Sequence, residues 1–144
     1  MRTLVTIAAA VLTLALASRA ADTRVPVELE GVQITEHLGE KINLDLEFVD
    51  EAGMVKPLRT YFQSGRPVVL NLVYYTCPML CKRVLAGQVA TMRAVDFTPG
   101  KEYEVVTVSI DPTETFEMAR EKRTAWLASF GRPAPGWHFL VDYR

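Results

Sequence analysis

The chain has 144 residues, with 16 basic and 17 acidic side chains, a formal net charge of −1 and 49% hydrophobic residues. That is room for one domain, too little for two ordinary ones, and the apolar content excludes a disordered chain. No block of like charge is present, which speaks against nucleic acid as a partner.

The N-terminus reads as an export signal over residues 1–20. Met1, Arg2 and Thr3 form a short positive start, and Leu4 to Ala17 is an uncharged, mostly apolar run of 14 residues. A membrane span needs about 18 or more. Ala15-Leu16-Ala17 and Ser18-Arg19-Ala20 both present small residues where a signal peptidase cuts. Cleavage after Ala20 removes Arg2 and Arg19, leaving 14 basic against 17 acidic residues. The expected location is periplasmic or otherwise extracytoplasmic, where thiols can oxidise. Left uncleaved, the same segment becomes a membrane anchor.

Residues 21–40 are polar and aperiodic, a linker or arm before the folded domain of 41–144. Leu44, Leu46 and Phe48 alternate with Asp45 and Glu47, the period of a half-buried strand. Asp50-Glu51-Ala52-Gly53 is a turn, and Met54 to Leu58 a return strand that Pro57 confines to an edge. Val68 to Tyr75 is a nearly continuous apolar run, predicting a central strand covered on both faces. Asn71 is its one polar residue, expected to bond neighbouring backbone.

From Pro78 to about Val95 the period becomes helical, with Cys81, Leu85, Val89 and Met92 on one stripe. Tyr103 to Ile110 returns to strand composition. Thr115 to Phe130 reads as a helix with Phe116, Ala119, Trp126 and Phe130 inward; Gly131 ends it, and Pro133 and Pro135 prevent its resumption. Trp137 to Val141 is a last strand. Hairpin, strand, helix, strand, helix, strand predicts an α/β sandwich with parallel pairing at its centre.

The two cysteines, Cys77 and Cys81, are the only ones in the chain. As a structural disulfide they would close a loop of about five residues, contributing roughly 2 kcal/mol on the chain-entropy formula. A brace does more between distant elements, so a functional pair is the better reading. Pro78 suits the first helical position, which puts Cys77 where free N–H groups and the helix dipole stabilise a thiolate. Cys81, one turn on, heads the apolar stripe. Cys77 is therefore expected as the outer, reactive sulfur and Cys81 as the inner, sheltered one. Two chemistries remain open. A thiol–disulfide oxidoreductase ordinarily has two residues between its cysteines, not three. A soft metal suits two thiolates: sulfur selects Cu(I), zinc or iron–sulfur clusters, and the latter two usually want four protein ligands.

"RPVVLNLVYYTCPMLCKRVL", then "YEVVTVSIDPTET", then "GWHFL" resembles the Sco/SenC family, with "ITEHLGEKINLDLEFVDEAG" similar to that family's lead-in. The resemblance spans roughly Gly31 to Leu140. It implies a thioredoxin-like fold and copper held by two cysteines and a histidine. The implied role is assembly of the binuclear copper centre in subunit II of cytochrome c oxidase, as copper donor, thiol reductant or both. Other copper carriers and thiol reductants are further partners on this reading. Cys77 and Cys81 match the copper ligands, and Asp111 in "SIDP" matches an acidic residue near the site, against a plainer reading as a turn residue before Pro112. The histidine ligand comes later in that family than this sequence runs. His138 aligns with the "GWHFL" histidine, which is not the ligand, and His37 lies in the polar arm.

The expected fold thus lacks the family's final hairpin and closing helix, leaving the "GWHFL" edge and one face of each helix uncovered. Two thiolates alone suit Cu(I) and are poorly set up for Cu(II), which also wants imidazole nitrogen. A further alternative is that the chain is an inactive truncated fragment.

Overall fold

The computed structural model describes residues 35–143, and the expected signal segment lies outside them. The chain divides into two units, 1–40 and 41–144. In the first, His37 pairs with Glu40 at 2.9 Å.

The second unit is built on one five-stranded sheet. Its strands are β1 (Glu47–Asp50), β2 (Val55–Pro57), β3 (Val68–Val73), β4 (Glu104–Ser109) and β5 (Trp137–Asp142). The order across the sheet is β2-β1-β5-β4-β3. Strands β3, β4 and β5 run parallel, while β1 is antiparallel to both β5 and β2. Helices α1 (Leu80–Ala94) and α2 (Phe116–Phe130) make the crossovers. A 3-10 turn, Leu58–Tyr61, joins the hairpin toward β3. The α/β class, the N-terminal hairpin and the parallel centre are as the sequence predicts.

Strand β4 explains how the two faces are filled. Val105, Val106, Thr107 and Val108 are all buried, and alternate residues point to opposite faces. Val105 joins Trp137 and Phe139 of β5 beneath Leu85, Val89 and Met92 of α1 and Ala119 and Phe130 of α2. Val106 and Val108 join Leu140 beneath Leu58 and Tyr61. Both helices thus share one face, and the 3-10 turn supplies cover for the other.

Several expectations are corrected. Strand β3 is an edge among the described residues, not the centre; Val69 is 42% and Leu72 65% exposed. The "GWHFL" strand is the reverse case. It was expected as an edge, but β1 pairs along one side of it and β4 along the other. An apolar run records burial tendency and not which neighbour supplies the burial, so the two strands exchange roles. Strand β1 begins only at Glu47, because Leu44 and Leu46 instead give their carbonyls to the backbone of Arg59 and Leu58. Asn71 bonds side chains rather than backbone: its amide nitrogen donates to Gln88 Oε1 at 2.9 Å and Thr107 Oγ1 at 3.4 Å.

Candidate thiol site

The two cysteines sit where β3 leaves the sheet and turns into α1. The helix begins at Leu80, with Met79 as its cap residue, not at Pro78. Residues Tyr74–Met79 therefore form a connecting loop, and Cys77 enters the site from it. Its sulfur takes the place of the missing cap side chain. The backbone N–H of Cys81, in the first turn of α1, donates to Cys77 Sγ at 3.4 Å. An unpaired helix N–H and a thiolate satisfy each other, as a carboxylate or hydroxyl would at an ordinary cap.

The two thiols differ in acidity, in the order expected. Cys77 is pulled down to about 6, first by the Cys81 N–H and then by the Tyr74 hydroxyl. Cys81 is raised, first by burial, and also by its proximity to the Cys77 sulfur. Exposure runs opposite to expectation: Cys77 is only 4% exposed, and Cys81 is half-buried. Lying in the loop tucks Cys77 beneath its neighbours, whereas Cys81 packs against the core from the first turn of α1 and stays partly exposed. Both thiols are free.

Glu114 fixes the loop that carries Cys77. This buried carboxylate accepts from Tyr75 N–H at 2.7 Å, Thr76 N–H at 2.6 Å, Thr76 Oγ1 at 2.8 Å and Ser109 Oγ at 2.6 Å. Burial pushes its pKa up, but the Ser109 hydroxyl and the Tyr75 and Thr76 donors more than offset this and leave it below the usual carboxylate range. Tyr75 is anchored at its other end too, its hydroxyl donating to Leu140 O at 2.7 Å and Thr107 O at 3.1 Å. Neither Glu114 nor Tyr74 was singled out in the sequence. The available signal was position alone: an acid just after β4 lies at the same end of a parallel sheet as a residue just after β3.

Asp111 takes the turn role. Its Oδ1 accepts from Thr113 N–H at 2.9 Å and Thr113 Oγ1 at 2.7 Å, which hold its pKa down. His138 is engaged elsewhere, its ring 4.7 Å from that of Tyr61 and its Nδ1 3.7 Å from Glu51 Oε1. Among the described residues no three His, Cys, Asp or Glu side chains form a group able to cage a metal ion. What the site presents is two thiols, one of them acidic, at the head of a groove. This donor set suits a soft monovalent ion better than zinc, which wants more ligands.

No family model and no curated protein matches the chain. Solved structures do. A candidate electron transfer protein from Aquifex aeolicus VF5 is 24% identical, with a TM-score of 0.56 over 70% of this chain and 60% of that one. ScoI from Arabidopsis thaliana, solved with copper bound, is 18% identical, with a TM-score of 0.51 over 67% of this chain and 55% of that one. The chain thus spans about 60% of the length of the solved structures it matches. At these identities the likeness is one of fold. It agrees with the Sco/SenC resemblance read in the sequence.

Proposed function

We propose that this chain is an exported, Sco-like copper(I) chaperone. Cys77 and Cys81 hold the cargo ion, and the recipient is the binuclear copper centre of cytochrome c oxidase subunit II. The observation that carries the reading is the acidic thiol of Cys77, held from its loop by the Cys81 N–H at the start of α1, on a fold shared with a copper-bound ScoI.

The two sulfurs divide the work. Near neutral pH Cys77 is mostly thiolate and meets the ion without first losing a proton. Cys81 keeps its proton until the ion displaces it, so loading releases about one proton per ion. Glu114 holds the loop in place, and the Tyr74 hydroxyl helps to lower the Cys77 pKa. Release proceeds by exchange with thiolates of the acceptor, and protonation of Cys81 lets its sulfur go first. Extracytoplasmic placement follows from the leader-like first 20 residues.

Titration of the reduced chain with Cu(I) should reach about one equivalent, and Cys77→Ser and Cys81→Ser should each abolish tight binding. Stoichiometric binding that survives both substitutions would overturn the proposal.

A second reading is favoured by the same asymmetry. A thiol–disulfide oxidoreductase also needs one acidic, attacking cysteine and one resolving partner. On that reading the pair should exchange readily with a model disulfide. A reduction potential below about −300 mV with no exchange would eliminate it.

A further inference from the structure

A cavity of about 330 Å³ opens beside the two cysteines, between the start of α1 and the middle of α2. Its lining is largely apolar: Leu85 from α1 and the half-buried Trp126 from α2 line it together with Cys77 and Cys81. Lys82 and Lys122 stand at its sides, one on each helix. No carboxylate lines it; the Cys77 thiol is the one acidic group there. Among the described residues the lysines engaged in ion pairs are Lys56 and Lys101; Lys82 and Lys122 have neither an ion pair nor a side-chain hydrogen bond. The acids at this end of the sheet are already committed, Glu114 to the loop and Asp111 to its own turn.

The volume lies at the small end of ligand sites, roughly 300–1,000 Å³. It admits one or two side chains rather than a large cofactor. An apolar lining flanked by two cations without ion-pair partners, against the single Cys77 thiolate, complements a bulky apolar residue next to a carboxylate. The indole of Trp126 is the kind of rigid aromatic surface that anchors such contacts.

We propose that this groove docks an extended segment of the copper-exchanging partner protein, one that sets a bulky apolar side chain on Trp126 and Leu85 and a carboxylate between Lys82 and Lys122. The proposal rests on the copper-chaperone reading and adds the partner's chemistry. Docking there brings the partner's own ligands over Cys77 and Cys81. The lysines select among partners by charge, and the apolar lining holds the selected one in register.

The test uses the reduced, metal-free chain and three acetylated, amidated pentapeptides: Gly-Glu-Phe-Glu-Gly, its Lys-for-Glu counterpart and its Ala-for-Phe counterpart. Tryptophan fluorescence and amide shift changes follow binding. The acidic aromatic peptide should bind best, shifting Lys82 and Ala125 amides and the Trp126 indole, and should weaken as salt is raised. Lys82→Glu with Lys122→Glu should weaken it about tenfold and favour the Lys-for-Glu peptide. The milder Lys82→Gln, Lys122→Gln pair should give a smaller loss of the same sign. Equal affinity for all three peptides, shifts confined to another face, or binding to anionic lipid vesicles with none to the peptides would each overturn the proposal. Copper binding is scored separately. If the chain takes no Cu(I) yet docks the acidic peptide, the groove stands and the copper reading falls. If it takes Cu(I) but shows no peptide preference, the groove falls alone.

Discussion

At the scale of single residues, the contrast between the two thiols carries the chemistry. Alkylation of Cys77 should follow a titration midpoint of about 6, while Cys81 reacts only at higher pH. Tyr74→Phe should move the Cys77 midpoint upward, because it removes a hydroxyl that favours the thiolate. A midpoint unmoved by that change would leave the Cys81 amide as the main cause. Glu114 acts one step back. Glu114→Gln turns an acceptor of four donors into an amide whose NH₂ faces at least one of them. It should cost about 2 kcal/mol in urea unfolding and should also disturb the Cys77 alkylation profile. A stability loss with an unchanged profile would show that Glu114 braces the fold without setting the loop. The sequence displayed the cysteines and their helical offset openly. It could not display Glu114, since an acid in "DPTET" looks the same whether it is solvated or buried against a loop 38 residues away.

At the scale of elements, local rules carried far. Helix α2 starts after Thr115 and stops at Gly131, whose φ of +74° suits glycine, as its sequence foretold. The buried stripe of α1 is Leu85, Val89 and Met92, with Cys81 packed against the same core. Neighbour relations between strands were not legible, because they depend on which partners compete for a strand's two edges. This is why β3 and β5 traded places. Among the described residues no strand pairs along the outer edge of β3, and this has a measurable counterpart. "VVLNLV" carries no charge, and uncharged edges of high strand propensity invite intermolecular pairing. Leu72→Lys should lower self-association in light scattering while shifting stability by no more than about 0.5 kcal/mol, since Leu72 is mostly exposed. Equal scattering from both proteins would mean that this edge is not what associates. A tighter constraint sits at the entry to β5. A Cβ on Gly136 would run into the backbone of Gly100 and the carboxylate of Glu104. Gly136→Ala should therefore lower stability by about 3 kcal/mol.

At the scale of the whole molecule, three buried or half-buried carboxylates tie the unit to neutral pH. Burial raises the pKa of each, and specific partners override it. For Asp50 these are Lys56 and the Met54 and Ala52 N–H groups; for Glu51, His138, the Phe139 N–H and Arg123; for Glu114, Ser109 and the loop donors. All three end below the ordinary carboxylate range. The folded state therefore binds fewer protons than the unfolded chain as pH passes through about 4 to 4.5, and stability rises with pH there. It is complete above that window and lost as pH falls through the lower folded values. Urea midpoints recorded from pH 7 down to 3 should decline across it, and Glu114→Gln should flatten the decline.

Tyr75 adds a constraint on timing. Its hydroxyl reaches the carbonyl of Leu140, 65 residues further along the chain, while its N–H is held by Glu114. The loop bearing Cys77 is thus bolted to β5. During synthesis both sulfurs emerge well before that strand exists. Until β5 docks, the loop that carries Cys77 lacks its anchor at Leu140. Whatever chemistry the pair performs therefore waits on the docking of β5.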